Sequence, residues 1–196
     1  DKPIIRYILP YIIKHIFGKN LVTIFIGGAM LDENTKQFYK DYDITLCEGY
    51  GCTETSPMVS VNHLNFPNRN EKSIGKIMDN LDVRINELNN EILVSGPSVM
   101  KGYWRNEIAT KSVFKTIDNK AFYKTGDEGY IKDNFLFYKG RISENYKLSN
   151  GKFVNLKHIE NIVKKYVKNQ FVIFGDSKPY NIIICEKSTK QDIVEN

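Results

Sequence analysis

Cysteine is scarce in this chain of 196 residues, and no two cysteines form a CxxC pair. The three that occur are Cys47, Cys52 and Cys185, and their odd number argues against a framework of disulfide bonds. We therefore expect a reduced, intracellular setting, either the cytoplasm or the cytoplasmic face of a membrane. A nucleophilic Cys52 is one alternative, but no histidine lies near it in sequence, so packing within its loop is the favoured interpretation.

Long apolar runs are also absent. The most apolar stretch, "IIRYILPYIIKHIF", is interrupted by Arg6, Lys14 and His15 and is too short to span a bilayer. Its pattern predicts an amphipathic helix that is kinked near Pro10. Contact of this helix with a membrane surface, as in a peripheral membrane protein, stays open as an alternative.

A strong excess of charge of either sign is lacking. The chain has 28 Lys and Arg against 23 Asp and Glu, and the basic residues form no stripe interleaved with aromatic residues. This distribution argues against a nucleic-acid partner and favours an ordinary solvated surface. The hydrophobic content of 41% is enough for a real core and for one to two domains.

The first third of the chain has an α/β pattern. "LVTIFIGGAM" predicts a buried strand that stops at two glycines, "LDENTKQFYKDY" predicts a short helix, and "DITLCEGYG" predicts a second strand. In folds of this kind, ligands bind at the carboxyl ends of the strands. Residues 1–72 are therefore predicted to be an α/β segment with a ligand site at its strand ends.

The remaining chain divides into two further predicted segments. Residues 73–140 contain short strands separated by turns, such as "LDVRIN", "EILVSG" and "FLFYKG", which predict a small antiparallel barrel or sheet. Residues 141–196 begin a smaller α+β unit. There, "NLKHIENIVKKYVKN" predicts a helix with one apolar face, formed by Leu156, Ile159, Ile162, Val163 and Tyr166.

The loop "EGYGCTETSP", residues 48–57, fits neither a helix nor an ordinary strand. Tyr50 stands between two glycines and could lie flat against a purine, because glycine lets a ligand approach the backbone closely. Thr53 offers a hydroxyl to a phosphate oxygen, and Glu54 offers the hard oxygen that Mg²⁺ prefers. Taken alone, the loop fits a polar turn at a strand end equally well.

Two other glycine-containing segments suit a nucleotide. "FIGGAM" contains three small residues that leave room for a base or an acyl group, namely Gly27, Gly28 and Ala29, although a tight turn between strand and helix also explains them. In "YKTGDEGYI", Asp127 follows a glycine and could accept hydrogen bonds from both hydroxyls of a ribose. A hairpin turn is the alternative for this second segment.

"GRISENYKLSNGKFV" places two cations shortly after these segments. The planar fork of Arg141 suits ribose or phosphate oxygens. Lys147 could bring a positive charge to a reacting centre. Ordinary surface charge is the alternative for each of them.

In this order and spacing the segments resemble the adenylate-forming superfamily of acyl-CoA synthetases, luciferases and peptide-synthetase adenylation domains. The resemblance covers nearly the whole chain through "IGGAM", "EGYGCTETSP", "SIGK", "NEILVSGPSVMKGYW", "YKTGDEGYI" and "GRISENYKLSNGKFV". The last motif is most similar to the long-chain fatty acyl-CoA synthetase branch, in which the arginine is followed by "YKL..GK(Y/F)V".

The resemblance implies a fold and a reaction. The expected fold is the C-terminal portion of a large α/β domain with a small antiparallel β-barrel, followed by the start of a small α+β lid. The expected reaction joins a fatty acid to CoA in two steps. Mg-ATP first converts the acid to an acyl-adenylate, and the CoA thiol then displaces AMP. ATP, Mg²⁺ and CoA are therefore the expected cofactor and co-substrates.

The resemblance also implies roles for the residues singled out above. Thr53 would hold phosphate, Glu54 would bind Mg²⁺, and Lys147 would be the lid lysine that faces the site during thioester formation. These three are the expected catalytic residues. The expected nucleotide-binding residues comprise one group beside adenine and the acyl group and another group at the ribose and phosphate: Gly27, Gly28, Ala29, Gly49, Tyr50, Gly51 and Cys52, and then Thr53, Asp127 and Arg141.

The sequence departs from the family pattern at a few positions. Ser143 stands where the family usually has Asp or Lys at the hinge before the lid. No segment matches the family's phosphate loop ending in lysine, and none matches the lysine near the far end of the lid. We therefore expect an internal piece of a ligase that is inactive alone. The alternatives are an enzyme that activates an aryl, short-chain or amino acid, and a nucleotide-binding module that has lost catalysis.

Overall fold

The computed structural model describes residues 3–28, 31–42, 44–65, 67–167 and 169–186. Within these residues there are four α-helices, α1 Pro3–Phe17, α2 Glu33–Lys40, α3 Glu107–Val113 and α4 Leu156–Val163. The same residues form thirteen strands: β1 Thr23–Ile26, β2 Thr45–Tyr50, β3 Ser60–Val61, β4 Lys76–Ile77, β5 Asp82–Ile85, β6 Glu91–Ser95, β7 Phe114–Ile117, β8 Lys120–Lys132, β9 Phe135–Arg141, β10 Tyr146–Lys147, β11 Phe153–Val154, β12 Phe171–Phe174 and β13 Ile182–Cys185.

One mixed sheet contains nine of the strands in the described part of the chain. Their order is β1-β2-β3-β4-β9-β8-β6-β5, and β7 pairs with β8. β1 and β2 are parallel, with α2 in the connection between them, whereas β2–β3, β3–β4, β4–β9 and β7–β8 are antiparallel. The strands predicted for residues 73–140 therefore belong to the same hydrogen-bonded sheet as the parallel pair.

Helix α1 confirms the amphipathic helix predicted for the first apolar stretch, and it continues through Pro10 without interruption. Ile13 on this helix is buried, whereas Tyr11 and Ile16 are exposed. Among the residues described, no helix combines the length and the apolar character needed to cross a bilayer.

The chain forms two compact units. The first contains the described residues among 1–84, 94–123 and 131–137, and its buried core includes Ile44, Val59, Phe122 and Leu136. The second contains the described residues among 85–93, 124–130 and 138–186, and its buried residues include Ile92, Leu93, Val154, Val163 and Ile173. The three segments predicted from the sequence, with boundaries at residues 72 and 140, stay a prediction.

Helix α4 is shorter than the sequence pattern predicted. It begins after Asn155, whose side-chain oxygen accepts a hydrogen bond from the His158 N–H at 2.9 Å, and it ends at Val163. The next turn tightens, because the Tyr166 N–H donates to the Val163 carbonyl. Val163 is buried, but Ile162 and Tyr166 are exposed. The prediction of one continuous apolar face through Tyr166 was therefore wrong.

Candidate functional site

Two of the predicted glycines meet at the carboxyl ends of β1 and β2. The parallel register pairs Ile26 with Glu48, and Gly27 and Gly49 follow these residues. A Cβ atom added to Gly27 would lie 3.3 Å from the Gly49 carbonyl oxygen, which is a tight contact. Gly28 adopts a φ of +89° and has open space around it, so this turn favours glycine. Ala29 lies outside the described residues.

Glu48–Tyr50 are part of β2, which confirms the strand predicted for "DITLCEGYG". Gly49 pairs with Val61 and Tyr50 pairs with Ser60 on the antiparallel strand β3. The partner strand lies about ten residues further along the chain. Its hydrogen bonds hold this segment as a strand although the segment contains glycine, which has a low propensity for strands. The segment "EGYGCTETSP" therefore begins as strand, and the loop follows only after Tyr50.

The loop after Tyr50 is tightly folded. Thr53–Thr55 form a 3₁₀ turn, and the hydroxyl of Thr55 accepts a hydrogen bond from the Cys52 N–H at 3.0 Å. Thr55 is fully buried, whereas Thr53 is exposed on the turn. A Cβ atom on Gly51 would overlap the carbonyl group of Pro57. The turn thus presents Thr53 at the surface, and Thr55 is a structural residue that sequence reasoning missed.

Glu54 is held through both its backbone and its side chain. Its carbonyl oxygen accepts a hydrogen bond from the Met100 N–H at 2.8 Å, and its Oε1 accepts one from the Tyr103 hydroxyl at 2.9 Å. Burial, together with this hydrogen bond, raises the pKa of Tyr103, so the phenol is a neutral donor at physiological pH. Tyr103 was not predicted as a site residue. It is the tyrosine of "MKGYW", and nothing in that motif indicates a contact with Glu54.

The carboxylate of Glu54 has the chemistry of a magnesium ligand. In the part of the chain that the structure describes, no three His, Cys, Asp or Glu side chains cluster as a metal cage. Mg²⁺ is commonly bound by one or two carboxylates, with phosphate oxygens and water completing its coordination. A single partly buried carboxylate on the Thr53–Thr55 turn therefore fits this ion.

Cys52 lies half-buried at the start of the same turn. Burial raises the pKa of its thiol, and the neighbouring Glu54 acts in the same direction. The neutral thiol predominates at physiological pH, which weakens the nucleophile alternative and favours the packing role.

In the second unit, Asp127 and Arg141 form an ion pair. Asp127 lies within β8 and is 7% exposed. Arg141 Nη1 donates to Asp127 Oδ1 at 2.9 Å and to the Thr125 carbonyl oxygen at 3.0 Å. The Asp127 N–H donates to the Thr125 hydroxyl at 3.1 Å. Because β8 continues through Asp127, the hairpin-turn alternative for this segment was wrong.

The negative charge of Asp127 also acts on Tyr138. Burial in the first place, and then the charges of Asp127 and Glu144, raise the pKa of Tyr138 to about 12. The phenol therefore stays neutral beside the ion pair at physiological pH.

Lys147 and Ser143 are both exposed in the second unit. Lys147 lies in β10, opposite Phe153 on β11, and its carbonyl oxygen accepts a hydrogen bond from the Ser177 N–H at 2.9 Å. Ser143 lies in a short 3₁₀ turn that follows Arg141. The roles expected for these two residues stay predictions.

Comparisons with known proteins agree with the motifs. Residues 9–104 match the family described as AMP-binding enzyme. The long-chain-fatty-acid–CoA ligase FadD15 of Mycobacterium bovis is 34% identical over 170 residues, which are 86% of this chain and 27% of that protein. A 2-succinylbenzoate–CoA ligase of Listeria monocytogenes is 31% identical over 185 residues, which are 90% of this chain and 38% of that protein.

A solved structure shows the same fold. The O-succinylbenzoate coenzyme A synthetase of Bacillus subtilis, in complex with ATP and magnesium ion, has a TM-score of 0.65 and 22% identity over 82% of this chain and 35% of its own. This likeness confirms the expected fold class, an α/β adenylate-forming domain. The chain spans only 27 to 38% of the length of these relatives. It is a member of the AMP-binding enzyme family, the adenylate-forming superfamily that its motifs resemble.

Proposed function

We propose that this chain is part of an AMP-forming acid–CoA ligase. A carboxylate oxygen of the acid attacks the α-phosphorus of ATP, and the bond to pyrophosphate breaks. The sulfur of CoA then attacks the acyl carbon, the thiol loses its proton, and the bond to AMP breaks. The observation that carries the proposal is the meeting of Gly27 and Gly49 at the parallel strand ends, directly before the Thr53–Thr55 turn.

The first unit would bind the base, the phosphates and the metal. Gly49, Tyr50 and Gly51 would lie beside the purine, because glycine lets a ligand approach the backbone and the ring of Tyr50 is flat. The exposed hydroxyl of Thr53 would donate to a phosphate oxygen, and Glu54 would bind Mg²⁺. When bound, the ion would neutralise charge on the phosphate oxygens.

Asp127 would bind the ribose, as its motif implies. As a carboxylate, Asp127 has acceptors and no donor, which suits two ribose hydroxyls that donate to it. Arg141 holds the carboxylate in place through the 2.9 Å contact. Lys147 is proposed for the thioester-forming step, on the basis of its motif.

A long-chain fatty acid is the proposed substrate. The motif after Arg141 and the 34% identity to a long-chain-fatty-acid–CoA ligase support it. An aryl acid is the second candidate, because a 2-succinylbenzoate–CoA ligase is nearly as similar at 31%.

ATP–pyrophosphate exchange by the full-length polypeptide that carries this chain tests the proposal. We expect exchange that depends on long-chain acids and that falls by about a hundredfold or more in Asp127→Ala, since a buried charged partner is lost. Asp176→Ala, at an exposed position of the same unit, is the matched control and should exchange normally.

The other outcomes discriminate between the alternatives. Exchange with aryl or amino acids only would support the adenylation mechanism and would contradict a fatty acid as the substrate. Absence of exchange with every acid, in protein that still binds ATP, would contradict the ligase proposal and favour a nucleotide-binding module without catalysis.

A further inference from the structure

We infer that Tyr103 positions the carboxylate of Glu54, and that helix α3 holds Tyr103 in place through Thr110. The inference rests on the proposed function, in which Glu54 binds Mg²⁺ together with ATP. Tyr103 is a positioning residue here, because it would act on the metal only through Glu54.

The segment Met100–Tyr103 holds Glu54 at two points. The Met100 N–H donates to the Glu54 carbonyl oxygen at 2.8 Å, which fixes the backbone of the turn. Three residues later, the Tyr103 hydroxyl donates to Oε1 of the same residue at 2.9 Å, which fixes the rotation of the carboxylate. Two contacts from one short segment make the position of Glu54 depend on the position of that segment.

Helix α3 in turn fixes this segment. The Tyr103 N–H donates to the hydroxyl of Thr110 at 2.9 Å, and that hydroxyl donates to the Asn106 carbonyl oxygen at 2.8 Å. A Cβ atom on Gly102 would lie 2.7 Å from the methyl carbon of Thr110, so the segment packs directly on this side chain. Asn106 also caps α3, because its side-chain oxygen accepts from the Ala109 N–H at 3.0 Å.

The chemistry of the donor suits a metal ligand. A phenol is neutral, so it orients the carboxylate and leaves its negative charge for a cation. A lysine or arginine in the same place would compete with the cation for that charge. A carboxylate that is already oriented loses less conformational entropy when a metal binds. Partners of this kind typically contribute about tenfold to a hundredfold to metal affinity or activity.

The test is the affinity for Mn²⁺, a paramagnetic substitute for Mg²⁺, measured by electron paramagnetic resonance on the full-length polypeptide with a non-hydrolysable ATP analogue. We expect Tyr103→Phe, which removes only the hydroxyl, to raise the dissociation constant of Mn²⁺ by about tenfold to a hundredfold. Tyr180→Phe removes an exposed hydroxyl elsewhere and should leave it unchanged. A Tyr103→Phe value within about twofold of the wild type would overturn the inference.

A second pair of variants tests the part played by helix α3. Thr110→Val keeps the shape of the side chain but loses the hydrogen bond to Tyr103, so Mn²⁺ affinity should fall in the same direction. Thr110→Ser keeps the hydroxyl and should retain the Mn²⁺ affinity of the wild type. Thr116→Val is the control at an exposed threonine of β7. Equal Mn²⁺ affinity in Thr110→Val and Thr110→Ser would overturn the inference that helix α3 holds Tyr103 in place through Thr110.

Glu54→Gln separates failure of the inference from failure of the proposed function. Loss of Mn²⁺ binding in Glu54→Gln with normal binding in Tyr103→Phe would overturn the positioning role alone. A wild-type protein that binds no Mn²⁺ in the presence of the nucleotide would overturn the proposed role of Glu54 and the inference together.

Discussion

Gly51 occupies a position in which even a methyl group does not fit. A Cβ atom there would overlap the carbonyl group of Pro57, on the far side of the Thr53–Thr55 turn. We expect Gly51→Ala to lower the free energy of unfolding by about 1–3 kcal/mol, the usual cost of overpacking, and to raise KM for ATP. Thermal unfolding and steady-state kinetics on the full-length polypeptide measure both effects.

Gly151→Ala is the control for this substitution. Gly151 has a φ of +80° with no atom near its added Cβ, so alanine there strains the backbone without a clash. It should leave KM for ATP unchanged. If Gly51→Ala also kept a normal KM, the turn would not be part of the nucleotide site.

Single residues differ in how far the sequence predicts them. Gly27 and Gly49 were predicted to lie near one ligand from the family resemblance of their motifs, and the structure brings them together. Tyr103 escaped prediction because its partner Glu54 lies 49 residues away. Residue type and spacing in the sequence do not indicate this contact, because folding alone brings the two residues together.

Helix α2 is joined to the end of β2 by an ion pair. Lys36 Nζ lies 2.8 Å from Oε2 of Glu48, whose side chain is 9% exposed. Burial lowers the pKa of Lys36, but the hydrogen bond and charge of Glu48 outweigh it, so the pKa lies above the ordinary value of 10.5. The pair therefore stabilises the fold below pH 10.5, and its contribution is lost as the pH rises through the elevated pKa of the folded state.

Urea unfolding between about pH 8 and pH 12 tests this contact. Lys36→Met should cost about 1.5–3 kcal/mol near pH 8, and the difference from the wild type should shrink at the alkaline end. Lys40→Met is the control, because Lys40 pairs with Glu71 at 3.5 Å on an exposed surface and should change little. A cost of Lys36→Met that is the same at every pH would contradict the ion pair as its cause.

Among the elements, those with a strong local pattern were predicted well. The strand that ends at Gly27 and the helix after it follow from β-branched residues, a glycine stop and the cap at Asp32, which accepts from the Thr35 N–H at 3.0 Å. The end of α4 was predicted less well. A tightened turn after Val163 ends this helix, and the apolar pattern of the sequence does not indicate that turn.

For the whole molecule, we expect the 196-residue chain alone to catalyse no measurable acyl-CoA synthesis. The chain covers 27% of the M. bovis relative and contains no match to the family's phosphate loop or to its second lid lysine. Thioester formation from fatty acid, ATP and CoA measures this, with the full-length polypeptide as the positive control. Turnover by the short chain would show that the missing motifs are dispensable.

The fold class could be predicted because the motifs and the α/β pattern point to the same family. The union of these strands in one sheet could not be predicted, since it depends on a pairing in the middle of the strand order, that of β4 with β9, whose residues are distant in sequence. Such pairings depend on loop closure and burial across the chain, which periodicity does not report.

The long strand β8 has a consequence for how this sequence can change in evolution. Thr125, Asp127 and Gly129 are all buried on alternate positions of that strand. One inserted or deleted residue between Thr125 and Asp127 would turn the carboxylate to the opposite face, away from Arg141, whereas a change of two would return it. We therefore expect insertions or deletions of an odd number of residues to be lost from this strand during evolution, and those of an even number to persist more often.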